Sequence, residues 1–190
     1  MTQENYVERI VFRLARGEIA ALLRLMDFAG LPGAAIEPAQ PDASTVNALV
    51  EAGIIVLCEG RILLDRTMAL ILQSAAESQW FARAEGPGGK ALLYVGEKMC
   101  VLLTDAGGGA LLLEPVRDLS AARPLFQKGA ARLGARLQYL ARGARGQGTP
   151  LCREGGAQQA GEFLAEFERG RDLDAIDHRG SLCSGDIGQL

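Results

Sequence analysis

The sequence lacks the residues from which most metal and nucleophilic sites are built. His178 is the only histidine, and it lies near the end of the chain. The four cysteines include no CxxC pair, so we do not expect a structural zinc site. No serine lies in a GxSxG context, and no glycine cluster has the spacing of a phosphate-binding loop. We therefore expect a protein that is not an enzyme and that uses no cofactor or metal ion.

Other absences concern partners and location. The net charge is −3, whereas a free nucleic-acid-binding protein usually has a basic excess. The N-terminal residues are polar, without the apolar segment of a secretory signal. No apolar run approaches the ~18 residues that indicate a membrane span. We expect a cytoplasmic protein that does not enter a membrane and for which nucleic acid is a disfavoured partner.

The first 78 residues contain a clear succession of predicted strands and helices. Alternating apolar residues predict a strand over residues 6–14. An apolar stripe spaced i, i+3, i+4, i+7 then predicts a helix that begins at Glu18 and is stopped by Gly30 and Pro32.

A second helix, a hairpin and a third helix follow. Asp42 or Ser44 can cap the second helix, which is expected to end near Ala52. Residues 54–64 form a hairpin, and Asp65 caps the next helix. The order helix, helix, hairpin, helix resembles a winged-helix unit.

The hairpin is apolar at almost every strand position. Its tip carries only Glu59 and Arg61, which is a poor surface for DNA phosphates. We therefore expect the hairpin to join a core, so that Val56→Asp would be severely destabilising. The inward-facing residues would be Ile54, Val56, Ile62 and Leu64.

From residue 79 the pattern changes to four strand-like runs separated by glycine-rich turns, which predicts an antiparallel meander. Pro124 fits the first turn of a covering helix that continues to about Arg142, and a last helix is expected near residues 157–170. The prediction is an α+β fold with three regions. They are a winged-helix-like half (1–78), a sheet with covering helices (79–177) and a flexible tail (178–190).

One charged feature indicates a binding surface. From Leu119 to Arg153 the chain has basic residues and no acidic ones. Lys128, Arg132 and Arg136 are spaced by four, so a helix would align them as one stripe. Two interpretations stay open: the stripe packs beside the acidic segment that follows Glu154, or it binds an acidic partner.

The segment RLARGEIAALLRLM is similar to the start of the EspG-like chaperones of type VII secretion, in which a strand leads into a helix. The pattern of residues 6–142 resembles that family's α+β layout, and related uncharacterised Gram-positive proteins look similar. The resemblance implies a chaperone that binds the helical tip of a secreted substrate through the meander and its loops. Glu97 and Lys98, in one of those loops, therefore join the basic stripe as candidate partner-binding residues.

Three alternatives remain beside the protein-binding module, and the least favoured is an enzyme of unknown type, because the search for catalytic motifs finds none. Residues 16–77 could serve a DNA-binding transcription regulator. The exposed face of the meander could also form a homodimer.

Overall fold

A computed structural model describes residues 9–142, 151–154, 156, 158, 164 and 165. In chain order the elements are β1 (Phe12–Ala15), α1 (Arg16–Leu25), α2 (Ala43–Glu51), β2 (Ile55–Cys58), β3 (Arg61–Leu64), α3 (Arg66–Ala76), β4 (Trp80–Gly86), β5 (Gly89–Val95), β6 (Cys100–Gly107), β7 (Ala110–Val116), α4 (Leu119–Arg132), β8 (Leu137–Arg142) and β9 (Leu151–Glu154). The α+β class is confirmed. No helix within these residues is long and apolar enough to cross a membrane.

Seven strands form one antiparallel sheet in the order β1-β7-β6-β5-β4-β8-β9. The four predicted meander strands, β4 to β7, lie at its centre. Strands β2 and β3 form a separate two-stranded hairpin. The predicted meander is therefore correct, and β1 extends it by pairing with β7.

Two hydrophobic cores cover the two faces of the sheet. The first joins α1, α2 and α3 to one face and includes Leu22, Leu72 and Val101. The second lies under α4 and includes Leu93 and Phe126. Alternate residues of β5 and β6 enter opposite cores, so these strands are buried on both faces. A homodimer would therefore need a surface other than the middle of the meander.

The first helix is shorter than the sequence suggests. It begins at Arg16 instead of Glu18, and it ends at Leu25, well before Gly30. Asp27 adopts a positive φ of 57°. The backbone N–H groups of Asp27 and Phe28 donate to the carbonyls of Arg24 and Leu23, at 3.2 and 3.0 Å. An aspartate therefore closes the helix in the left-handed conformation that glycine usually supplies.

The predicted long helix to Arg142 is wrong. Helix α4 ends at Arg132, and residues 137–142 form β8 along the outer edge of β4. Gly134 has a φ of +63°, and its N–H donates to Ala131 while the N–H of Ala135 donates to Ala130. This glycine cap stops the helix and turns the chain towards the unpaired edge of β4. Pro124 lies inside α4, beyond its first turn.

Asp42 and Asp65 are confirmed as N-caps. Their carboxylates accept hydrogen bonds from the backbone N–H groups of Thr45 and Met68. Asp118 caps α4 in the same way, through the N–H of Ala121. The predicted tail at 178–190 and most of the predicted last helix lie outside the described residues. Leu164, one of its few described residues, is fully buried in the second core.

Candidate partner-binding surfaces

The hairpin of β2 and β3, here called the wing hairpin, exposes large apolar side chains. Relative exposures are 55% for Val56, 57% for Leu57, 42% for Ile62 and 52% for Leu63. Val56 lies opposite Leu63, and Leu57 lies opposite Ile62. Residues paired across an antiparallel ladder share a face, so each face of the hairpin carries one apolar pair.

The expectation that the hairpin strands pack inward is therefore wrong for Val56 and Ile62. Only the base of the hairpin enters the first core, through Ile54 and Ile55, which are 4% and 1% exposed. Leu64 is partly buried against the same core. No other described element covers the outer part of the strands, which is why their apolar residues stay in contact with solvent.

The base of the wing hairpin is fixed to its neighbours. The N–H of Asp65 donates to the carbonyl of Ile54 over 2.7 Å, which closes the hairpin where α3 begins. At the tip, Glu59 and Gly60 have φ values of 49° and 74°, as a tight two-residue hairpin turn requires. A two-stranded hairpin is at best marginally stable alone, so this anchorage holds it in place.

The electrostatics around the wing hairpin are not basic. Helix α2, which precedes it, has no Lys or Arg, and its capping carboxylate Asp42 is ionised. The hydrogen bond from the backbone N–H of Thr45, helped by the Ser44 hydroxyl, lowers the pKa of Asp42 to about 2. Phosphate contacts need cations, and within the hairpin only Arg61 provides one.

The predicted basic stripe is only partly formed. Lys128 and Arg132 lie on α4 and line a cleft between that helix and the sheet, whereas Arg136 lies beyond the end of the helix. The backbone N–H of Arg136 instead donates to Glu85 over 2.9 Å as the chain enters β8. Arg136 was predicted to lie on the helix because the helix was predicted to continue to Arg142, and the cap at Gly134 is the reason that both predictions are wrong.

Glu97 and Lys98 are exposed in the turn between β5 and β6. They do not line the cleft beside Lys128 and Arg132. The backbone N–H of Gly96 donates to Met99 across this turn, over 3.1 Å. The structure therefore does not bring the five candidate residues into one site.

The rest of the cleft includes Arg9, Thr104 and Glu114, which were not predicted from the sequence as binding residues. Two of these residues could have been singled out in the sequence, because Thr104 and Glu114 are polar residues in strands that are otherwise almost wholly apolar. The guanidinium group of Arg9 donates two hydrogen bonds to the Glu114 carboxylate, one from Nε and one from a terminal nitrogen. These hydrogen bonds raise the pKa of Arg9 above its ordinary value.

Comparison with protein-family models and with curated proteins gave no match to this chain.

Proposed function

We propose that this protein is a non-enzymatic protein-binding module, and that the wing hairpin is its contact surface. The carrying observation is that four large apolar side chains, in two cross-strand pairs, stay exposed on an anchored hairpin. Exposed apolar clusters of this kind are typical of interaction sites, because water contact is costly for them.

The occupant that we propose is an amphipathic helix of another protein. A helix can lay an apolar stripe across one cross-strand pair while its polar face stays in water. The hairpin strands offer almost no charge, so recognition would depend on apolar contact. A helical secreted substrate has this chemistry, and the pattern resemblance to EspG-like chaperones of type VII secretion points in the same direction. We include a cytoplasmic chaperone or adaptor role in the proposal.

Site-specific photo-cross-linking tests the contact. A benzophenone amino acid replaces Leu63, and in a second sample it replaces Ile10, which is similarly exposed at 53% but lies outside the hairpin. Each variant is co-expressed with small helical proteins encoded beside its gene. We expect a covalent adduct with one of them from position 63 and none from position 10. An adduct only with a second copy of this chain would replace the proposed partner by a homodimer.

Affinity measurements with the cross-linked partner then test which residues contribute. Val56→Ser and Leu63→Ser each remove one exposed apolar side chain from the same cross-strand pair, and each should weaken binding about tenfold. Ile10→Ser is the matched control and should leave the dissociation constant unchanged. Equal affinities for all three variants would contradict a contact through the hairpin.

The DNA-binding alternative has one observation in its favour, which is the observed order α1, α2, hairpin, α3. It predicts that the protein retards duplex DNA at low salt and that the affinity falls steeply as salt is added. Absence of retardation at low salt would eliminate this alternative.

A further inference from the structure

The cleft beside α4, here called the α4 cleft, has a volume of about 210 Å³. Its floor is the face of β6 and β7 that packs towards α4. Leu102 lies opposite Glu114, and Thr104 lies opposite Leu112, so the floor alternates apolar and polar side chains. Its lining residues are Arg9, Leu102, Thr104, Leu112, Glu114, Leu125, Lys128, Gly129 and Arg132.

The cleft contains polar groups with remaining hydrogen-bonding capacity. Thr104 is 5% exposed, and within the described residues its hydroxyl has no hydrogen-bond partner. Lys128 likewise forms no ion pair with any described residue. One guanidinium nitrogen of Arg132 donates to the carbonyl of Asp105 over 2.9 Å, which holds this side chain at the rim. An arginine has further N–H groups beyond the one used here.

The charges in the cleft favour an anionic ligand. Glu114 is the acidic residue of the lining, and Arg9 already pairs with it through two hydrogen bonds. Lys128 and Arg132 then remain as positive charges without a carboxylate partner among the described residues. The lining therefore has a net positive charge, which attracts an anion such as a carboxylate.

The remaining wall is apolar and leaves space. Leu102, Leu112 and Leu125 provide hydrocarbon surface. Gly129 has no side chain, and a Cβ placed there would lie 3.8 Å from the Thr104 hydroxyl oxygen. This glycine therefore keeps the Thr104 hydroxyl accessible from the side of α4.

We propose that the α4 cleft binds a monocarboxylate carried on a short aliphatic chain. The carboxylate would accept hydrogen bonds from Lys128, Arg132 and the Thr104 hydroxyl, while the hydrocarbon lies on the leucines. The volume suits such a ligand, because a cavity of about 150 Å³ can hold a six-carbon ring. The site does not depend on the proposed protein-binding role, since the wing hairpin belongs to the layer on the other side of the sheet.

Titration calorimetry of the full chain with sodium hexanoate tests the site. We expect hexanoate to bind at least about tenfold more tightly than 1-hexanol, which has the same chain without the charge. Lys128→Gln and Thr104→Val should each weaken hexanoate binding, by about tenfold for the lysine. Arg24→Gln, a cation on α1 in the opposite layer, is the matched control and should leave it unchanged.

Gly129→Ala separates binding from folding. The added methyl group meets Ala91 and Thr104 at 3.6–3.8 Å, which is ordinary contact, and alanine favours a helix over glycine. We expect this variant to have a higher unfolding midpoint and yet to bind hexanoate several times more weakly. Unchanged hexanoate affinity in both Gly129→Ala and Lys128→Gln would overturn the proposed site.

The same carboxylate chemistry has two sources, a free acid and the C-terminus of a peptide. A parallel titration therefore uses acetyl-Ala-Ala-Leu with a free or an amidated C-terminus. Tighter binding of the free peptide acid than of hexanoate would assign the cleft to a protein terminus, and the reverse would assign it to a small acid. If neither carboxylate binds at concentrations up to about 10 mM, the proposal is overturned.

Discussion

The wing hairpin and the middle of the sheet have similar sequences and opposite environments. The strands IVLC and RILL read much like ALLYV and CVLL, with apolar residues at consecutive positions. In β5 and β6 these residues enter two cores, one under α1, α2 and α3 and one under α4. In the hairpin the outer residues have no covering element among the described residues.

The difference teaches that an apolar run predicts burial only where other elements can cover both faces. The sheet has a layer on each side, so consecutive apolar residues of β6, such as Val101 and Leu102, are both buried. In the hairpin only Ile54, Ile55 and Leu64 contact the first core, and Val56 and Leu57 are both exposed. Exposure of such a segment has a free-energy cost in water, and this cost is what a bound partner would remove.

The largest difference in the free energy of unfolding is expected when an aspartate is placed in the sheet and, for comparison, in the wing hairpin. Val101→Asp buries a carboxylate in the first core and should reduce the free energy of unfolding by about 4 kcal/mol or more. Val56→Asp, at a position 55% exposed, should change it by less than about 1 kcal/mol, contrary to the expectation from the sequence.

Urea denaturation of both variants gives the comparison directly. Similar losses of stability would mean that the hairpin is covered in solution, for example by a second copy of the chain. Sedimentation analysis of the unmodified protein would then show the dimer.

A smaller effect is expected at the junction between the hairpin and α3. Asp65→Ala removes the cap whose carboxylate accepts from the N–H of Met68 over 2.9 Å, and should destabilise the protein by about 1–2 kcal/mol. Asp65→Asn keeps a side-chain oxygen that can cap and is the matched control. Hydrogen exchange should be faster at the backbone N–H of residue 65 in the alanine variant, because this N–H donates to the carbonyl of Ile54 at the base of the hairpin. Unchanged exchange there would mean that the hairpin is held independently of the cap.

The elements that the sequence predicts well are those decided by local chemistry. The aspartate caps of α2 and α3, the turn at Gly60 and the four meander strands all follow from neighbouring residues. The end of α1 at Leu25 was not predicted, because the positive φ that closes the helix belongs to Asp27, a residue type that seldom adopts this conformation, whereas Gly30 is a more usual helix stop.

Features that depend on distant residues were predicted less well. Leu137 and Leu140 have helical spacing, yet they lie in β8 because Gly134 caps α4 and β4 has an edge to pair. Only two members of the basic stripe, Lys128 and Arg132, reach the α4 cleft. Its other polar groups come from β6, β7 and the residues before β1, and no local pattern could bring these together.

A modest gain in stability is expected inside the covered strands. The Tyr94 hydroxyl is buried without a hydrogen-bond partner among the described residues, and burial raises the pKa of this phenol. Tyr94→Phe removes the unsatisfied hydroxyl and should stabilise the protein by about 1 kcal/mol. Urea denaturation measures the change. A loss of stability would show that the hydroxyl has a partner, such as a buried water molecule.

Lowering the pH should have the smallest effect on stability. It should act through Asp42 and Asp118, the aspartates that cap one helix in each of the two layers covering the sheet. Hydrogen bonding from the Thr45 N–H lowers the pKa of Asp42 from 3.8 to about 2, and bonds from the Ser120 hydroxyl and the Ala121 N–H lower the pKa of Asp118. Because these pKa values are depressed by folding, the stabilisation is complete above pH ~4 and is lost as the pH falls towards about 2.

Asp42→Asn retains a capping oxygen but cannot ionise. The variant should therefore be less stable than the unmodified protein above pH ~4, and this difference in the free energy of unfolding should shrink as the pH falls towards about 2. Urea midpoints measured between pH 2 and 6 test this expectation. Asp118→Asn should behave in the same way, and the two effects should add because the caps lie in separate layers. A pH profile of the double variant that runs parallel to the unmodified protein would show that neither carboxylate contributes to the acid sensitivity of the fold.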